Sequence, residues 1–566
     1  MLGKDASLIF KPVYKQERGF DLTVLKSNIM VANIICQMIR NTIGPYSVNK
    51  AILKKEGEVL ITSDAVTILK NLRVEHPVAK ILIGMSKAQD AIVGDGVATA
   101  VILASEFLRK AETLIDQGLL PSTILKGYDI ALKRAINKLE EIATQISSND
   151  EEALRKVAST AINTKIISSP EKINDFSNIA LELAKRVTSK VDGKTRLNIE
   201  DIKIIKKRGG SLSDSYVVDG YVIDDREIVH PDMPRRVENA SIAMIRSLEL
   251  KEITGSWWEA LGKNMDIEVR ELEEHKAFLA ARRTMVKQII SRLVLRGANV
   301  VFTNKGLDEI TEHYLARAGI LAVKRVFQPE MYRIAKLTGA QIVSNLMSEN
   351  LTTEKLGQAK VVEEWRPSEK ENYILISECP AQGASSVIIK GGNEYALEEA
   401  ERSLYDALHV IRNIVEDPRV IPGGGAPEME LSKCLKEYAQ TFKGKEQLAI
   451  LAYAEALKIV PQTLADNAGL DIVNISAKLK AKHSEGIIGA GVNVNDGKVD
   501  DMRKMGVYEP LRVKVHALNA ATDVARIVLR IDKIIPARDL KKKEEPEPEK
   551  EKEQLDALKK AYDLES

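Results

Sequence analysis

Hydrophobic periodicity changes twice along this chain and returns at the end to where it began. Residues 21–43 carry apolar side chains at Leu25, Ile29, Ala32, Cys36, Ile39 and Ile43, the three-and-four spacing of one helix face. Gly44-Pro45 stops that pattern. Two short β-runs, 51–53 and 59–62, flank a Lys/Glu/Gly turn and read as a hairpin. Helices are expected over 99–117, 122–146 and near 151–160, the second entered at Pro121-Ser122. From about 215 to 370 short β-runs alternate with helices instead. A strand at 298–302, a helix over 307–318 and a strand at 319–323 make a β-α-β unit of an α/β domain. A long polar helical stretch covers 267–294, just after Trp257 and Trp258. Beyond 398 a wholly helical pattern resumes to 475, followed by a hairpin around 492–499 and a final helix over 518–531. The order implies a helical domain interrupted by an α/β insertion. After Pro536 the chain is rich in Lys, Glu and Pro and reads as a disordered tail, with a short helix over 555–564.

At 566 residues the chain exceeds what one core supports, so two or more domains are expected. The 83 basic and 81 acidic residues leave a net charge of +2, which gives no electrostatic case for nucleic acid or a membrane as partner. Cys36, Cys379 and Cys434 are widely spaced with no Cys-x-x-Cys, pointing to a reducing, cytoplasmic setting rather than a disulfide framework or zinc site. No apolar run reaches the ~18 residues of a membrane span, and the N-terminus has no signal-peptide pattern.

The chemistry concentrates at Val93-Gly94-Asp95-Gly96-Val97-Ala98-Thr99, where two glycines flank a carboxylate at the start of an apolar helix. Backbone N–H groups and the helix dipole there attract phosphate, and the carboxylate can hold the accompanying Mg²⁺. The same tripeptide is equally an ordinary turn. Gly193-Lys194-Thr195 imitates the end of a P-loop, but Thr188 stands where that motif needs glycine, so it reads as a turn. The seven histidines show no His-Glu-x-x-His or paired ligand spacing, which disfavours a metal-dependent hydrolase. Asp406, taken alone, is half of a solvated pair with Arg402 one turn before it, and His409 packs along the same helix. Gly423-Gly424-Gly425 permits close backbone approach or simply joins two helices, and Glu509 before Pro510 reads as a turn residue.

Taken together and in order, several segments resemble the group II chaperonins. They are Thr62-Ser63-Asp64-Ala65-Val66-Thr67-Ile68-Leu69, Gly94-Asp95-Gly96, Glu401 to Val410, Val420-Ile421-Pro422-Gly423-Gly424-Gly425-Ala426, Asp466 to Asp471 and Gly506-Val507-Tyr508-Glu509-Pro510. The resemblance spans nearly the whole chain. It implies a multidomain α and α/β chaperonin fold: a discontinuous helical equatorial domain at 1–146 and 405–540, an intermediate hinge domain at 147–214 and 371–404, and an inserted α/β apical domain at 215–370. It further implies a helical lid protrusion near 250–290 and a charged flexible tail at 541–566.

For function, the resemblance implies an ATP- and Mg²⁺-dependent molecular chaperone subunit. Such a subunit works in a double ring with paralogous subunits and binds unfolded protein. Asp95 matches the Mg²⁺ ligand, Gly94 and Gly96 the phosphate loop, Thr99 a further phosphate contact, and Gly44-Pro45 the start of another phosphate-contacting loop. Asp64 matches an acidic residue near the γ-phosphate and attacking water. Asp406 matches the residue that activates that water, and hinge closure could carry it to the nucleotide. Lys165 matches a γ-phosphate lysine, Gly424 lies against the nucleotide, and Glu509 matches the ribose contact. The family usually reads Gly-Asp-Gly-Thr-Thr-Thr, Asn-Asp-Gly and Gly-Pro-Lys-Gly where this chain has Gly94-Asp95-Gly96-Val97-Ala98-Thr99, Ser63-Asp64-Ala65 and Gly44-Pro45-Tyr46-Ser47. These departures imply weakened ATP handling. The rival reading is a structural or regulatory ring subunit with negligible ATPase of its own.

Overall fold

Leu25, Ile29, Ala32, Ile35 and Ile39 are buried along one side of the helix Leu22–Arg40, as their spacing requires. A computed structural model describes residues 22–54, 57–147, 150–163, 170–191, 193–226, 228–248, 272–344, 351–368, 371–381 and 383–535. Trp257, Trp258, Lys165, the tail beyond 535 and most of the expected lid protrusion lie outside those residues.

The first helix joins Pro77–Val93, Val97–Asp116, Pro121–Ile142, Glu446–Leu457 and Leu511–Val528 around one core. Val97–Asp116 is the axis of that body: every residue from Thr99 to Leu108 is buried, the all-round burial expected of a central helix. Phe107 stacks on Tyr453 at 4.1 Å, and Tyr128 meets the Tyr453 ring edge-on at 5.3 Å. Both phenols are satisfied, Tyr128 donating to the Phe107 carbonyl at 2.8 Å and Tyr453 sharing a 2.9 Å hydrogen bond with Thr522. The stretch Glu446–Asn467 is long and apolar enough to cross a membrane, which its sequence did not lead us to expect. Its Ala449, Ile450, Tyr453 and Leu457 fill this core instead.

The α/β insertion has its own core. Its sheet runs Leu321–Val323, Val300–Thr303, Arg236–Ile245, Gly357–Ser368, Glu371–Ser377, Tyr221–Ile223, with Ile342–Val343 also paired to Arg236–Ile245. The expected β-α-β unit is present: Val300 pairs in parallel with Leu321, across the helix Glu309–Arg317. Those two strands are buried at every position, hence their uninterrupted apolar sequence. Through Glu371–Ser377 this sheet continues past residue 370.

A third core lies between the other two in chain order. Helices Glu151–Ile162, Pro170–Val187 and Glu394–Glu416 pack there with Ile202–Arg208 and Ser385–Gly391, which pair in parallel. Gly193-Lys194-Thr195 falls in the hairpin formed by Thr188–Val191 and Lys194–Leu197. Two boundaries differ from expectation. The pattern beyond 398 is broken by the strand Arg419–Pro422, which pairs with Tyr508–Pro510 and Thr144–Gln145. The last helix begins at Leu511 rather than 518, because buried Lys514 interrupts its apolar rhythm in the first turns.

Candidate active site

Two adjoining cavities share Ile43, Gly44, Asp95, Gly96 and Thr99. The larger is a cleft of about 1160 Å³, walled by Pro45, Gly424, Gly425, Glu509 and Lys514 and by Arg155 and Lys156 from the helix Glu151–Ile162. The smaller, about 90 Å³, collects Asp64, Asp90, Asp95 and Asp406, with Gly94, Val97 and Ala98.

Local backbone chemistry explains why these residues meet. Gly96 takes φ +74° as the N-cap of Val97–Asp116 and supplies no side-chain cap. Gly425, at φ +76°, does the same for Ala426–Ala439. Two helix N-termini without side-chain caps therefore border one cleft, the arrangement that favours an anion. Asp95 folds back onto the Gly96 N–H at 2.6 Å. Asp64 caps Ala65–Asn71 by accepting from the Thr67 N–H at 2.8 Å.

The helix bearing Asp406 is held in register with the Gly-Asp-Gly loop. The helix Pro77–Val93 ends there, leaving carbonyls without intrahelical partners. Arg412 donates to the Ile92 carbonyl and Asn413 to the Val93 carbonyl, each at 2.8 Å. The His409 ring lies against Gly94, within 2.1 Å of where a Cβ would be. Burial, aided by Arg412, pushes the His409 pKa down to about 4. Upstream, Arg402 bonds Thr62 at 3.2 Å and Glu399 at 2.9 Å, tying the same helix to the segment before Asp64. Asp406 therefore lines the small pocket in this conformation.

Carboxylates crowded beside helix N-termini suit a cation brought in with phosphate. Among the described residues no three acidic, His or Cys ligands form a cation cage. Mg²⁺ keeps several waters and takes one or two carboxylates plus substrate phosphates, and Asp95, beside the N-terminus of Val97–Asp116, is a carboxylate in such a position.

Residues 35–539 match the model of the TCP-1/cpn60 chaperonin family. The chain belongs to that family. It is 42% identical to a thermosome subunit of Methanopyrus kandleri over 537 residues, 94% of this chain and 95% of the relative. It is 42% identical to thermosome subunit alpha of Archaeoglobus fulgidus over 546 residues, 96% and 98% of the two chains. It is 43% identical to a thermosome subunit of Pyrococcus horikoshii over 521 residues, 92% of each. This is a group II chaperonin chain.

In this chaperonin the small pocket gathers Gly44, Asp64, Gly94, Asp95, Gly96, Thr99 and Asp406 from the sequence-derived set. The large cleft adds Pro45, Gly424 and Glu509. Lys165 lies outside the described residues. Sequence reasoning missed Asp90, Gln89, Arg412, Asn413 and Lys514. Gln89, fully buried, donates to the Asp95 carbonyl at 2.8 Å and meets His516 at 2.5 Å, linking the loop to the last helix. Burial works against the charge of Lys514, but Glu428 and Glu509 more than offset it and hold its pKa above the ordinary lysine value. The one signal for Asp90 was its place a single turn before Gly94, and there it also pairs with Lys70 at 3.1 Å.

Proposed function

We propose that this chaperonin subunit binds ATP with Mg²⁺ in the cleft and hydrolyses it, more weakly than its relatives, to drive closure over unfolded protein in a ring shared with paralogous subunits in the cytoplasm. The observation that carries this reading is the small pocket. Three acidic residues far apart in sequence, Asp64, Asp95 and Asp406, line it beside the N-terminus of Val97–Asp116.

Gly44, Pro45, Gly94, Gly96 and Thr99 border the phosphates, while Gly424 and Glu509 border the sugar end. Asp95 is the residue to hold Mg²⁺, which when bound neutralises charge on the phosphates. Asp406 accepts the proton of the attacking water, and Asp64, lining the same pocket, orients that water. Lys165, by its match to the family, adds a cation at the terminal phosphate. Weakened handling is supported by Val97 and Ala98, which line the small pocket without a hydroxyl to donate. Each hydrogen bond to a charged phosphate lost this way costs about 1.5–3 kcal/mol.

The test is ATP binding by calorimetry with Mg²⁺ and with a chelator, on the unmodified protein and on the double variant Val97→Thr/Ala98→Thr. Mg²⁺-dependent binding that strengthens about a hundred-fold or more in the double variant is expected. Failure of the unmodified protein to bind ATP would remove the reading. Equal binding by both proteins would remove the weakened-loop part.

A further inference from the structure

Lys514 is nearly sealed from solvent at the floor of the cleft, with its side chain 5% exposed. Its Nζ lies 2.7 Å from Glu428 Oε1 and 2.8 Å from Glu509 Oε2. The two carboxylates differ in setting. Glu428 is fully buried in the first turn of Ala426–Ala439, whereas Glu509 is a quarter exposed and lines the cleft. One lysine thus joins the triple-glycine helix, the strand Tyr508–Pro510 and the last helix. Both carboxylates sit on one ammonium, so they lie within two hydrogen-bond lengths of each other. Without that cation the more exposed carboxylate, Glu509, loses the charged partner that holds one of its oxygens at 2.8 Å and turns toward solvent, whether or not Glu428 keeps its charge.

We infer that Lys514 is a positioning residue: it aims the Glu509 carboxylate into the cleft as an acceptor for hydroxyl donors of the bound nucleotide. This rests on the nucleotide reading above and adds to it the residue that fixes Glu509. Lys514 commits one carboxylate oxygen of Glu509, leaving the other for the ligand. In this arrangement Lys514 governs affinity and sugar discrimination. The Asp64, Asp95 and Asp406 pocket, which does not include it, governs the chemical step.

The experiment compares ATP with 2′-deoxy-ATP and 3′-deoxy-ATP as substrates of the assembled protein. It uses the unmodified chain, Glu509→Gln, Lys514→Met and the double variant Lys514→Met/Glu428→Met. The double variant replaces a buried ion pair with apolar side chains of similar length, a change that folded proteins commonly tolerate. It therefore stays informative if Lys514→Met alone fails to fold. The expected result is a KM for ATP raised about ten-fold in the double variant and in Glu509→Gln alike, with kcat nearly unchanged and discrimination against the deoxy-nucleotides reduced. If Lys514 serves only to neutralise Glu428, the double variant returns to the unmodified KM and discrimination, and the inference is overturned. If Glu509→Gln changes KM while the double variant does not, the sugar contact stands and the positioning role falls. If the unmodified protein turns over no ATP, the nucleotide reading fails instead, and calorimetric ATP binding by the same samples identifies that case.

Discussion

Gly94 and His409 compete for one space, and the sequence of each makes sense only beside the other. Gly94 sits at φ +67°, and a Cβ there would fall 2.1 Å from the His409 ring. A left-handed alanine costs about 1–2 kcal/mol before any overlap is counted. Gly94→Ala is therefore expected to lower the thermal midpoint by several degrees. Gly94→Ala/His409→Ala should recover part of that loss, the steric share but not the backbone share. A Gly94→Ala protein as stable as the parent would contradict the packing described. At this scale the site was only partly legible. Asp95 announces itself through its flanking glycines. Asp64 and Asp406, as isolated acids, carried meaning only through the family pattern around them. Lys514 gave no sign, because a lysine in an amphipathic helix reads as solvent-facing and its two carboxylates come from elsewhere in the chain.

Elements were legible where one period ran unbroken. The helix Leu22–Arg40, the hairpin of Lys50–Leu53 with Val59–Thr62 and the parallel pair Val300–Thr303 with Leu321–Val323 follow directly from spacing. The strand Arg419–Pro422 was hidden between two helices, since four residues are too few to establish a period. Its partners, Tyr508–Pro510 and Thr144–Gln145, are remote in sequence. One contact between elements carries a pH dependence. His483, on Ile472–Ser484, places Nδ1 2.8 Å from Glu430 of Ala426–Ala439, and Nε2 2.9 Å from the Ala490 carbonyl. The hydrogen bond from His483 holds the Glu430 pKa below its usual 4.5, against the opposing effect of burial. A depressed carboxylate stabilises the fold above its unfolded pKa, and that contribution disappears as pH falls through the lower folded value. Thermal midpoints measured from neutral pH down past 4.5 should therefore show an acid-side loss that is smaller in Glu430→Gln. Parallel curves for the two proteins would mean that the pair contributes nothing to acid stability.

The described residues form three large cores and two smaller clusters, threaded by a chain that leaves and re-enters two of the three large ones. That nesting was visible as helical rhythm lost and regained. The sites of crossing were not, because the helix Glu394–Glu416 serves two bodies at once. Its Leu397, Leu404, Ala407 and Ile411 belong to the third core, while Arg412 and Asn413 grip the end of Pro77–Val93 in the helical body. Asp406 stands on that helix and lines the small pocket together with Asp64 and Asp95. Under the proposed function, a group that reacts at this position touches both bodies and so couples hydrolysis to domain movement. The most direct measurement is steady-state ATP turnover by size-selected assemblies of this chain beside an Asp406→Ala version, with ATP binding recorded on both. The account predicts measurable turnover in the parent and a fall of about 10²–10⁴-fold in the variant, with binding retained. Equal rates in the two proteins would contradict it.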